Sequence, residues 1–110
     1  MTLPQRTRVV HCQREKYDVY VGRRHNDYHH FGNPFSHKPD TLAIIRVSTR
    51  EEAIQAFRDW LAGTKYQDIE ADRREWILAN IKKLKGKTLG CYCSPLFCHG
   101  NVLAELADAS

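Results

Sequence analysis

Between Ser48 and Lys85 the chain is written for helix, and strand-like runs lie on both sides of that block. Ser48-Thr49-Arg50-Glu51-Glu52 opens it. Ser48 with Glu51, or Thr49 with Glu52, fits a capping box, in which hydroxyl and carboxylate each satisfy an orphan backbone donor. Ala53, Phe57, Trp60 and Leu61 recur at helical spacing as a buried stripe, and Gly63 supplies the stop. A second helix is predicted from about Asp68 to Lys85. Ile69, Arg73, Trp76, Ile77, Ile81 and Leu84 lie near one face, and Gly86 closes it. Both tryptophans keep that spacing and read as core.

The flanking runs read as strands. Arg8-Val9-Val10-His11-Cys12 is short, Tyr17-Asp18-Val19-Tyr20-Val21 alternates in β-branched and aromatic residues, and Leu42 to Val47 is a third. Thr88 to Cys93 is a fourth, followed by a short amphipathic helix over Asn101 to Ala107. The order β-β-β-α-α-β-α predicts a single α/β domain over residues 1–110. Its mainly parallel sheet would hold about four short strands flanked by three helices, with the strand bearing Cys91 and Cys93 in the centre. From Gly22 to Asp40 the pattern dissolves into Gly, Pro, Asn and four histidines, His25, His29, His30 and His37. A patternless loop of that length in a small domain is usually functional or disordered.

Three of the four cysteines fall in Gly90-Cys91-Tyr92-Cys93-Ser94-Pro95-Leu96-Phe97-Cys98-His99-Gly100. Residues i and i+2 of a strand share a face, so Cys91 and Cys93 aim at one point, and Pro95 turns the chain to bring Cys98 and His99 back. Three readings stand side by side. Cys91, Cys93, Cys98 and His99 are a ligand set suited to a closed tetrahedral zinc site. Cys98 and His99 are adjacent and seldom face one ion together, so His11, Cys12 or a loop histidine is an equal fourth ligand. The second reading is catalytic: Cys98 as a nucleophile at a helix N-terminus, with His99 or a loop histidine as base. The third is a set of buried core thiols, the role assigned to Cys12.

The formal net charge of +4 is uneven. Residues 1–50 hold nine Lys/Arg against four Asp/Glu, whereas residues 51–110 hold eight against nine. A basic N-terminal half suits a phosphate-bearing partner, either an anionic small molecule such as a nucleotide or a nucleic acid. Gly22, Arg23, Arg24, Gly32 and Asn33 are the ligand-binding candidates. Arginine offers a planar fork to phosphate, glycine admits close backbone approach, and Asn33 is held extended by Pro34. No P-loop, GxGxxG or HExxH pattern occurs. No apolar run is long enough for a bilayer span and the N-terminus has no signal-peptide pattern, so a soluble cytoplasmic protein without membrane partners is expected. Clustered cysteines in such a chain favour reduced thiols or metal over disulfides.

From Tyr17 to Leu106 the chain resembles domain-of-unknown-function family 4326, small proteins of tailed phages and bacteria. The resemblance rests on Tyr17 to Arg23, Gly32-Asn33-Pro34-Phe35, Glu51-Glu52-Ala53 through Trp60-Leu61, Leu84 to Cys93, and Pro95, Cys98-His99-Gly100 and Leu103 to Leu106. Phe31 and Tyr92 stand where the family usually has tryptophan, and the segment from His37 to Val47 is longer than in compact members. The resemblance implies a phage or bacterial setting, in the host cytoplasm if phage-encoded. It implies no reaction.

The sequence thus points to a small ligand-binding domain, with or without catalysis, for a nucleotide or other phosphorylated metabolite. The alternative is a metal-stabilised adaptor for nucleic acid or a host protein. The first reading predicts that strands Tyr17–Val21 and Thr88–Cys93 are parallel and that Arg23 and Asn33 face Cys98 and His99 across one pocket. It also predicts that Arg23 serves the ligand and contributes little to stability.

Overall fold

The computed structural model describes residues 6–23, 30–37, 45–92 and 96–110. Arg24, His25, His29 and Cys93 lie outside the described residues, as does the first part of the strand expected from Leu42. The elements are β1 (Arg8–His11), β2 (Val19–Tyr20), β3 (Phe35–Ser36), β4 (Ile45–Arg46), α1 (Arg50–Ala62), α2 (Ala71–Asn80), a 3-10 turn (Ile81–Leu84), β5 (Thr88–Cys91) and α3 (His99–Asp108). The chain is α/β, as expected, but its strands divide into two sheets. One has the order β1-β5-β2 and the other pairs β3 with β4, all in parallel.

β5 takes the centre because it is the most apolar strand, with Leu89, Gly90 and Cys91 all buried. Val9 and Val19 both register against Leu89, and Val10 and Tyr20 against Gly90. α3 packs on the face that carries Leu89 and Cys91, with Val102, Leu103 and Ala107 buried. Trp60, Phe57, Phe35 and Ile77 complete the same core, each wholly buried and each worth roughly 1.5–3 kcal/mol in transfer free energy.

The helix signals were mostly literal. Thr49 is the N-cap of α1, its hydroxyl accepting from the Glu52 amide at 3.0 Å, while the Glu52 carboxylate accepts from Ser48 N. Gly63 ends α1 at φ +79°. The second helix starts later than expected. Tyr66 and Glu70 take positive φ, which breaks the helix, and Trp60 Nε1 donates to Ile69 O at 2.7 Å to hold that turn. The helix then tightens into the 3-10 turn before Gly86, at φ +77°. The short strand β3 lies inside the stretch expected to be patternless. Cys12, expected in the core, is only half-buried: it follows the last residue of β1, where its thiol sits beside the Tyr92 phenol and keeps that hydroxyl above its ordinary pKa.

Candidate functional site

A cavity of about 160 Å³ opens between the two sheets, lined by Arg23, Asn33, His37, Arg50, Cys98 and His99, with Tyr92 at its wall. The parallel sheet explains its place. The chain leaves β2 through Val21-Gly22-Arg23 and leaves β5 at Tyr92, so both strands deliver residues to the same edge. α3 begins beside that edge at His99, where the first-turn amides of a helix point outward. Arg23 and Asn33 therefore share one cavity with Cys98 and His99, the arrangement expected from the strand polarity.

The individual side chains are more occupied than their types suggested. Arg23 donates from Nε to Asn33 O at 2.7 Å and from a terminal nitrogen to Phe35 O at 3.1 Å. It clips the loop to the end of β2. Asn33 is buried, with Nδ2 donating to Ala53 O at 3.0 Å and Oδ1 accepting from Phe35 N at 2.9 Å. Its amide joins the loop to α1. Gly32 is required because a Cβ there would lie 2.9 Å from the Arg23 Cα, and Gly22 is packed against the Tyr20 hydroxyl. Both glycines admit protein rather than open space.

Cys91 and Cys98 are almost wholly buried, and their sulfurs lie 3.4 Å apart. Cys98 is the N-cap of α3, with its amide donating to Asn101 Oδ1 at 2.9 Å. Cys12, Cys91 and Cys98 are thiols, not disulfides. His99 Nε2 lies 2.6 Å from Val21 O. A carbonyl only accepts, so Nε2 carries the proton and Nδ1 holds the lone pair. Burial lowers the imidazole pKa to about 4, outweighing the hydrogen bond to Val21, and the Arg23 and Arg73 guanidiniums push it the same way. The ring is neutral at pH 7. Two thiolates of one tetrahedral zinc stand roughly 3.8 Å apart for Zn–S of about 2.3 Å, so Cys91 and Cys98 are close to that spacing. Among the described residues no three His, Cys, Asp or Glu side chains converge for a metal, and Cys93 lies outside them.

Two arginines carry more than the sequence disclosed. Arg50 is the first residue of α1 and reaches the cavity, with no hydrogen-bond or ion-pair partner among the described residues. A cation in the first turn opposes the helix dipole, and that was the signal available in the sequence. Arg73, 1% exposed, donates to His30 O at 2.9 Å and Gly32 O at 2.7 Å, pairs with Glu70, and lies 5.2 Å from the Trp60 ring centroid. It looked like part of an apolar stripe and instead anchors the loop from beneath.

The model of a domain of unknown function, DUF4326, matches residues 5–109. The chain belongs to that family. A relative, the "Uncharacterized 12.4 kDa protein in nrdA-td intergenic region" of Enterobacteria phage T4, is 32% identical over 63 residues. That alignment covers 56% of this chain and 52% of the phage protein, so the match spans about half the length of the relative. No solved structure matches the chain. Among the described residues no helix is long and apolar enough to cross a membrane.

Proposed function

We propose that this DUF4326 domain binds the anionic end of a phosphorylated small molecule, a nucleotide being the leading class, in the cavity at the carboxyl edge of the β1-β5-β2 sheet. The observation that carries the reading is Arg50, a guanidinium without a protein partner among the described residues, on a wall it shares with Arg23 and the start of α3. Parallel α/β sheets commonly bind ligands beyond the carboxyl ends of their strands. A cavity of about 160 Å³ suits a phosphate group rather than a whole nucleotide, whose remainder would lie outward past Tyr92. Arg50 supplies charge and hydrogen bonds. Arg23 supplies charge while its donors hold the loop. Cys98 and His99 form the floor, and the neutral ring offers a weakly basic Nδ1. Calorimetric titration with inorganic phosphate, AMP, ATP and a sugar phosphate tests the reading. Arg50→Ala should weaken whichever compound binds by about 1.5–3 kcal/mol, the scale of a hydrogen bond to a charged group. Absence of binding by all four, or an unchanged affinity in Arg50→Ala, refutes it.

A second reading is favoured by the 3.4 Å approach of Cys91 and Cys98. These thiols, with Cys93, would hold a structural zinc that staples β5 to α3. Native protein should then contain stoichiometric zinc, and chelation should lower its Tm sharply, because binding free energy is then folding free energy. Metal-free protein with an unaltered Tm eliminates it.

A further inference from the structure

All-parallel sheets are almost always covered on both faces. Here α3 covers the face that carries Leu89 and Cys91. By strand alternation the opposite face receives Arg8, Thr88, Val10, Gly90, Tyr20 and Tyr92, and no described helix packs closely on it. Its surface is aromatic. Tyr17 lies directly on Gly90, where a Cβ would come 2.6 Å from its ring, and its centroid is 6.3 Å from that of Tyr20. Tyr20 meets Tyr92 at 6.1 Å. The row is continuous, yet Tyr17 keeps 43% and Tyr92 59% of its surface exposed.

The charge around this row has one prevailing sign. Arg8, Arg14, Lys16 and Lys87 are exposed on β1, on the turn after it, and at the start of β5. Of the nearby acids, Asp18 accepts from Thr88 N at 2.8 Å and keeps its charge, so the four cations stand against Asp18 and Glu15. Phenol rings bordered by cations suit bases bordered by phosphates. An aliphatic partner surface would find no aliphatic side chain here except the buried Val10.

We propose that this face binds single-stranded nucleic acid, with bases stacking on Tyr17 and Tyr92 and the backbone running along Arg8, Arg14 and Lys16. This goes beyond the cavity reading and does not depend on it. The test is fluorescence anisotropy of the full chain with labelled oligothymidylate and oligouridylate of about a dozen nucleotides, within the usual span of such sites. The titrations are repeated over a range of salt, with a duplex of equal length as comparison. Saturable binding that prefers single strands and weakens with salt is expected, and comparing the two oligomers identifies the sugar.

Tyr17→Ala should lose about tenfold or more in affinity at every salt concentration, the scale of one stacked base, while Tyr17→Phe retains it. Lys16→Glu should lower both affinity and salt slope, and Arg50→Ala should change neither, which separates this face from the cavity. If Tyr17→Ala does not fold, photocrosslinking of 5-iodouracil oligomers decides, with adducts expected on Tyr17; adducts confined to other residues, the cavity-wall Tyr92 included, overturn the proposal. It is also overturned by equal affinity for duplex with no effect of Tyr17→Ala. A dimer, seen by light scattering, that Tyr17→Ala dissociates would instead make the face a self-interface.

Discussion

At His99 the Nε2 proton is spent on Val21 O, and protonating Nδ1 would place a charge among Phe57, Arg23 and Arg73. The folded pKa of about 4 lies below the ordinary 6.5, so between those values the unfolded chain binds more protons than the folded one. Stability should therefore be fully present above pH 6.5 and decline as pH falls toward 4, by at most about 3 kcal/mol from the size of the shift. The loss should be smaller than that, because part of the residue's surface reaches the cavity. Urea melts from pH 4 to 7 would show the slope in the wild type and a shallower one in His99→Gln. The same residue-level accounting reverses the expectation for Arg23. Its two carbonyl contacts make Arg23→Ala destabilising by about 1–3 kcal/mol, whereas Arg50→Ala should stay within about 0.5 kcal/mol of wild type. Equal stability of the two variants would show that the Arg23 clip contributes nothing.

The segment from His30 to Ser36 is held by Arg73 beneath, Asn33 into α1 and Arg23 from β2. Removing the buried guanidinium leaves Glu70 and two carbonyls without their donor, so Arg73→Ala should cost about 3–5 kcal/mol in chemical denaturation. At β5 the constraint is space. Gly90→Ala should cost about 1–3 kcal/mol by displacing the Tyr17 ring. In a double-mutant cycle Tyr17→Ala should relieve much of that cost; additivity would mean the ring does not rest on Gly90. Elements with repeating apolar periodicity were legible in the sequence: α1, the stripe of α2 and the central β5. β3 was not, because two residues after a proline carry no period, and their burial comes from α1 and β4. The delayed start of α2 was also hidden, since it depends on Trp60 reaching Ile69 O across the turn.

For the whole molecule, the parallel sense of β2 and β5 was enough to bring Arg23 and His99 to one cavity, and this was readable from strand polarity. What each polar group does there was not readable, because Arg23, Asn33 and Arg73 are engaged by backbone carbonyls whose positions only the fold defines. Of the three thiols expected to converge, Cys91 and Cys98 lie 3.4 Å apart and Cys93 lies outside the described residues, while Cys12 is only half-buried because β1 ends before it. Topology has a further consequence, for how the chain reaches this state. β1 and β2 pair with β5 across 80 and 70 positions, Arg8 against Thr88 and Val19 against Leu89, and Thr7 is bonded to Asp108 across 101. Among the described residues neither early strand has a sheet partner until β5 is available. Loop closure must then precede any reward from pairing, so folding should be slow for so small a domain, in the millisecond-to-second range rather than microseconds. A nascent chain stalled before Thr88 should hold helical α1 yet remain protease-sensitive throughout its N-terminal third, and the sheet should appear in one step once β5 and α3 emerge.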